Sequence, residues 1–207
     1  GAQRVCIGWE VDESPDGKKK KKKRRISAFA IGDDGSGIAP DILPNVLTIG
    51  FSTRYGDRTG IGRYGVCLKL ASISQVKRLE IYTRPAYLSA HEEKTDDGTT
   101  WVMADENVDG RVFMTYLDLN EIDRGEQKTY CVTEVADFPE EFAHMVPKGE
   151  TGTIIVWRDA DRLNHEQSYA ETVDEKLHTI RDFLRRAYRV HIDKGLEIFL
   201  QKDEQPL

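Results

Sequence analysis

The sequence predicts an α+β fold, and three features carry that prediction. β-rich apolar runs alternate with segments whose apolar residues recur at helical spacing. Two early runs, RVCIGWEV (residues 4–11) and RISAFAI (residues 25–31), flank one polar connection and read as an antiparallel pair. A later run, TGTIIVW (residues 151–157), is continuously apolar, as a central strand covered on both faces must be. At 207 residues and 39% hydrophobic content, the chain can bury one sizeable core and begin a second domain.

The elements follow in order. The first two runs are joined through SPDG and an unbroken series of cations, Lys18 to Lys23 with Arg24 and Arg25. That series reads as a solvated hairpin tip, because a turn sequence precedes it and strands flank it; contact with a nucleic acid or other polyanion is the second reading. A helix is expected from about Pro40, a residue suited to a first turn, burying Ile42, Leu43, Val46 and Leu47. Pro44 should distort it, since it lacks the amide a second turn uses. A Gly-, Ser-, Thr- and Arg-rich loop over residues 50–62 leads into a second helix at about 63–74. Further strands are expected at RLEIYTR (78–84), TTWVMA (99–104), RVFMTYLDL (111–119) and YCVTEV (130–135). After Asp159, Val173, Leu177, Ile180, Leu184, Ala187 and His191 recur at helical spacing, so one long amphipathic helix should end before Gly195, followed by a strand in LEIFLQ. A boundary is placed near residue 160, dividing residues 1–160 from residues 161–207, because a helix and a lone strand do not close a domain by themselves.

Composition narrows the function. No apolar run approaches the roughly 20 residues that cross a bilayer, and no leader pattern marks the amino terminus, so an intracellular setting, cytoplasmic or nuclear, is expected. The net charge is −6 even with the basic series included, so the remainder is distinctly acidic. Cys6, Cys67 and Cys131 sit in apolar contexts and are expected to be reduced core thiols. The five histidines lack metal-ligand spacing.

Two glycine clusters carry the chemistry. In IGDDGSGIAPD (31–41), a carboxylate ends an apolar strand, and Gly35 and Gly37 leave room beside it for a planar ring. Asp33 can then accept a hydrogen bond from an exocyclic amine such as that of adenine. In TGIGRYGVCLKLAS (59–72), Gly60, Gly62 and Gly65 offer backbone amides without side chains at a helix start, where phosphate is favoured. Lys69, one turn after Gly65, can neutralise a terminal phosphate. Neither a P-loop nor a dinucleotide fingerprint fits, since GxGxxG follows a loop and no GxxxxGK[ST] occurs. Taken singly, a DxGxG can be an ordinary tight turn, Lys69 a solvated helix residue, and Thr153 a strand residue of high β-propensity.

Together these residues resemble the GHKL superfamily of gyrase B, heat-shock chaperone, histidine kinase and MutL ATPases. DDGSGI resembles the adenine-side DxGxG motif, and GIGRYGVCLKLAS the second glycine motif, which lies in the ATP lid. The closest variant is that of MORC (microrchidia) proteins and their bacterial relatives, in which a GFS turn, a GxYGxGxK lid helix and a GTxIxxW-like strand recur in the order of IGFSTR, GRYGVCLK and GTIIVW here. The resemblance covers most of residues 1–160, and IRDFLRRAYRVHIDKGLEIFL resembles the start of a transducer domain. It implies a two-layer α/β sandwich of the Bergerat type, with a mixed, largely antiparallel sheet and helices on one face. Asp33 would meet adenine, Gly37 would shape the pocket, and Thr153 would join Asp33 through a shared water. Gly62, Gly65 and Lys69 would hold the phosphates, with Ser52 and Thr53 as lid contacts. ATP and Mg²⁺ are the implied cofactors, and a homodimer formed on nucleotide binding and a DNA or protein client are the implied partners. Two departures stand out. Cys67 replaces a lid glycine. The family's upstream helix, with its general-base Glu and magnesium-binding Asn, has no counterpart, so no catalytic residue is assigned in this chain, which reads as a fragment.

Two functional classes therefore remain: an ATP-operated clamp whose lid spans residues 50–65, and a nucleotide-sensing or degenerate interaction module that binds without hydrolysis.

Overall fold

A computed structural model describes residues 1–15, 22–55, 63–96, 98–162, 173–201 and 205–207. Nine strands are defined among them: β1 Arg4–Pro15, β2 Lys22–Asp33, β3 Arg78–Arg84, β4 Tyr87–Thr95, β5 Gly98–Glu106, β6 Val112–Asp118, β7 Thr133–Val135, β8 Gly152–Arg158 and β9 Glu197–Leu200. Seven form one sheet in the order β7-β6-β3-β8-β2-β1-β9. Every neighbouring pair is antiparallel except β1 with β9. β8 is central, as its continuous apolar run requires.

The pleat sorts side chains onto two faces. One face presents Ile7, Phe29, Ile31, Ile155, Trp157, Leu79, Ile81, Phe113 and Leu117, and the helical segments cover it. The chain over residues 40–47 supplies Leu43 and Leu47 as a short 3₁₀ helix, Leu43–Leu47. The expected α-helix is thus replaced by a tighter turn, with Pro44 in its first turn. Helix α1, Cys67–Ile73, adds Leu68 and Ile73, and its Ser72 Oγ accepts a 2.8 Å hydrogen bond from Trp157 Nε1 of β8. Helix α2, Val173–Ala187, lays Ile180 and Leu184 over Ile7, Ile198 and Leu200. The long helix expected here breaks at Tyr188 and resumes as the single turn Arg189–Ile192, before Gly195 at φ +99°.

The opposite face carries no α-helix among the described residues. The connection between β7 and β8 covers it with Phe138, Phe142, Met145 and Val146, packed on Cys6, Ala28, Ala30, Ile154 and Val156. Glycines make this contact possible. A Cβ on Gly32 would stand 2.6 Å from Met145 Cβ, and one on Gly8 would overlap the tip of the same side chain.

Several expectations change. β4 escaped the sequence reading because only Ala90 in it is buried, so no alternation of apolar and polar residues announces it. It pairs with β5 as a separate two-stranded sheet. Of the cysteines, Cys6 is buried, but Cys67 and Cys131 are exposed rather than in the core. β9 lies beside residues 4–7 of β1 in the main sheet. The hairpin runs out to Pro15 opposite Lys22, and the tip reading of the basic series falls on residues 16–21, outside the described residues.

The packing makes a prediction. Gly32→Ala should lower the urea midpoint by an amount equivalent to about 1–3 kcal/mol without changing the denaturant slope, because the Met145 backbone stem cannot swing away. Gly8→Ala should cost less, since its closest neighbours are the flexible methyl end of Met145 and, at 3.3 Å, the side-chain oxygen of Gln201. Equal costs at both positions would contradict this packing account.

Candidate functional site

Asp33 is the last residue of β2, and the registers of three strands decide its neighbours. β2 against β8 sets Asp33 opposite Thr153; β8 against β3 sets Thr153 opposite Thr83. All three lie on the helix-covered face. Thr83 is fully buried, and its hydroxyl lies 3.4 Å from that of Thr153. It also accepts the Ile38 amide at 2.9 Å and lies 3.2 Å from the Gly152 carbonyl. Asp33 Oδ1 accepts the Gly35 amide at 2.9 Å. Burial pushes the Asp33 carboxyl above its ordinary range, the Gly35 amide opposes this, and the neighbouring Asp34 charge adds to it.

The adjacent acid has a different task. Asp34 Oδ1 accepts the amides of Gln3 at 2.8 Å and Arg4 at 2.9 Å, tying the start of β1 to the turn. Of the two acids in DDGSG, Asp33, singled out by sequence, stands opposite Thr153, and Asp34 fastens the backbone.

Glycines let the turn lie flat against the sheet end. Gly37 has φ +69°, and a Cβ there would sit 2.6 Å from Pro85 Cα and 2.7 Å from the Arg84 carbonyl. The Ser36 carbonyl accepts the Ala86 amide at 2.8 Å, which fixes that approach. A Cβ at Gly35 would crowd Asp33 Oδ1 at 2.7 Å, and one at Gly152 would overlap the Asp33 carbonyl.

Beside this turn opens a cleft of about 420 Å³. Gly37, Ser52, Thr53, Gly65 and Lys69, all singled out by sequence, line it together. Asp33, Gly35 and Thr153 are not lining residues; they form the cluster at the sheet end that adjoins the cleft through Ser36 and Gly37. Gly60 and Gly62 lie outside the described residues. The apolar part of the lining includes Ile38, Ala39, Ile42 and Val46, and β5 adds Met103, which the sequence reading missed along with its strand partner. Exposed Cys67 also lines the cleft, where the lid pattern has glycine.

The loop expected to act as a lid has a built neck. Gly65 at φ +60° lets its Cα rest on the Phe51 carbonyl, and the Gly65 carbonyl accepts the Gly50 amide at 3.1 Å. The same carbonyl accepts Lys69 Nζ. Lys69 is 4% exposed, and burial pushes its pKa down, partly countered by Cys67. The helix expected from residue 63 consequently begins at Cys67, since left-handed Gly65 cannot be helical. Phe51 packs edge-on against Trp101 at 5.9 Å, and Tyr55 meets Tyr64 at 6.4 Å. Among the described residues no three His, Cys, Asp or Glu side chains gather as a metal site.

Residues 2–133 match the family of histidine kinase-, DNA gyrase B- and HSP90-like ATPases. The chain belongs to this family. A comparison with curated protein sequences gives no match. Among solved structures, the ATPase region of Saccharomyces cerevisiae topoisomerase II is similar in fold, with a TM-score of 0.54 in its ICRF-187 (dexrazoxane) complex and 0.53 in a second crystal structure. Identity is 17% in both, and the alignment covers 97% of this chain but 42% of the yeast chains. The shared architecture is therefore that of the GHKL ATPase fold, and this family member has no helix among its described residues long and apolar enough to cross a membrane.

The raised carboxyl gives a stability test. The folded pKa of Asp33 lies above the ordinary 3.8, so the stabilisation it contributes is complete below that value and lost as pH rises through the folded pKa. Asp33→Asn does not titrate. Between pH 4 and 8, the urea midpoint of the variant should rise relative to that of the unmodified chain as pH increases. A relative fall would show that the Asp33 carboxylate is stabilised, not strained, by its surroundings.

Proposed function

We propose that this chain is the ATP-binding domain of an ATP-operated clamp of the MORC-like type. The observation that carries the reading is the junction of two differently built parts: a half-buried carboxylate backed by Thr153 and Thr83, and a cleft reached through Gly37 whose loop side holds Gly65 and Lys69. A hydrogen-bond acceptor at a sheet end suits the exocyclic amine of adenine, and the apolar lining suits its ring. Ser52, Thr53 and Lys69 supply donors for phosphate oxygens, together with the glycine cradle that Gly60, Gly62 and Gly65 would make.

In this reading Asp33 orients the base, Thr153 and Thr83 hold its surroundings, and the 50–65 loop closes over the phosphates. Mg²⁺ would neutralise phosphate charge; the described residues offer no set of ligands for it, and we propose that its ligand and the catalytic base lie outside residues 1–207. Residues 161–207 are proposed as the start of a transducer-like unit, whose helix α2 and strand β9 dock on β1. Homodimerisation on nucleotide binding, a DNA or protein client and an intracellular setting complete the proposal.

Titration calorimetry tests it. Asp33→Asn should weaken ATP by about 10- to 100-fold, the loss of one charge-assisted hydrogen bond, while circular dichroism stays unchanged. Affinity of the unmodified chain should also fall as pH drops through the Asp33 pKa, because a protonated carboxyl loses acceptor strength. A folded variant with undiminished ATP affinity would remove Asp33 from the adenine site.

A further inference from the structure

We propose that the outer part of the β1–β2 hairpin is a docking arm for the phosphate backbone of duplex nucleic acid, which it grips without reading sequence. This names a surface for the nucleic-acid client of the reading above and rests on that part of it alone; the cleft is not involved. In the main sheet β2 pairs with β8 over residues 28–33, and β1 pairs with β9 over residues 4–7. Past the register shift at Glu10 and Val11, residues 11–15 pair with residues 22–26 and, among the described residues, with no third strand. Lys22 begins the strand that Asp33 ends, so the arm lies roughly 35 Å along β2 from the Asp33 end.

The register sorts the cations along the arm. Arg25 stands opposite Asp12 and Arg24 opposite Glu13, whereas Lys23 and Lys22 stand opposite Ser14 and Pro15, which carry no charge. At the root, Arg25 and Lys77 share a groove with Asp12, Asp159 and Asp161, so acids outnumber cations there. The surplus of positive charge therefore begins at Lys23 and Lys22, which close a run of lysines that starts at Lys18. Taking the eight cations Lys18 to Arg25 from a net charge of −6 leaves −14, so the body repels a polyanion that the arm attracts. Composition then selects the partner. From Asp12 to Arg25 there is no large apolar or aromatic residue, hence nothing to sink into a bilayer boundary and no ring on which an unpaired base could stack. A flat anionic membrane would also draw the acidic body against itself. A duplex is a thin rod with about one charge per 1.7 Å of its axis, which an arm can reach while the body stands off. Contacts of this kind go to phosphate and carry no sequence information.

The test is fluorescence anisotropy of the full chain with two labelled duplexes of unrelated sequence, each about two helical turns long, across a series of salt concentrations. Both duplexes should bind alike, and binding should weaken steeply as salt rises. Lys22→Glu with Lys23→Glu should weaken both about 10-fold or more at low salt and reduce the salt slope by about 2, the loss of two phosphate contacts. Lys94→Glu with Lys148→Glu makes the same change in net charge at exposed lysines off the arm and should have little effect. Matching thermal melts show that the variants are folded, and Lys22→Gln with Lys23→Gln should give an intermediate loss. The proposal is overturned if neither duplex binds at low salt, if the two lysine pairs weaken binding equally, or if one sequence is strongly preferred. It is overturned equally if vesicles of mixed neutral and anionic phospholipid capture the chain through Lys22 and Lys23 while the duplexes do not. ATP calorimetry on the same variants should show unchanged affinity, so a failure of the arm and a failure of the nucleotide reading are separately visible.

Discussion

Sliding β8 by one residue against β2 would turn Thr153 to the far face of the sheet and set Ile154 beside Asp33, because strand side chains alternate. The site depends on that not happening. Gly152 and Gly32 are the positions where the register is enforced sterically: a Cβ at the first would overlap the Asp33 carbonyl, and a Cβ at the second would strike Met145. Met145 and Phe142 in turn press on the face opposite the site. The apolar plug under the sheet and the polar cluster above it are thus two sides of one alignment.

A second device holds the other half of the sheet. Glu80 is 4% exposed, yet its two oxygens bind Arg78 at 2.7 Å and Arg158 at 2.8 Å. Arg158 reaches on to Glu141 at 2.7 Å, and Arg78 to Asp118 at 3.2 Å. Burial and the Glu80 charge push the Tyr82 phenol up to about 12, so it stays a hydrogen-bond donor to Glu80. Desolvation offsets much of what such a network contributes to stability. Its directional geometry nevertheless favours one alignment of β3, β6 and β8, whereas apolar pairs tolerate slippage. The alignment it favours is the one that sets Thr83 beside Thr153.

The cleft is built with less reinforcement than the sheet. Its floor is packed, but its rim depends on the Gly65 carbonyl, the Phe51–Trp101 contact and the Tyr55–Tyr64 pair. Both tyrosines are mostly exposed, so little apolar area is buried by their meeting.

Much of this was legible in the amino-acid order. The apolar run of β8, the paired early strands and the two glycine clusters are local patterns, and they single out Asp33, Gly37, Gly65, Lys69 and Thr153 as candidates. Local pattern could not reveal β4, whose side chains are mostly exposed and which is held by its partner β5. Nor could it show what Asp34 does, since fastening the amides of Gln3 and Arg4 is a long-range contact. Helical periodicity from residue 161 onward was visible, but the parallel pairing of β9 with β1 is a contact between residues almost the whole chain apart. Residue type and spacing determined which groups could do the chemistry; the long-range registers, which bring distant strands within hydrogen-bonding reach, decided which of them meet.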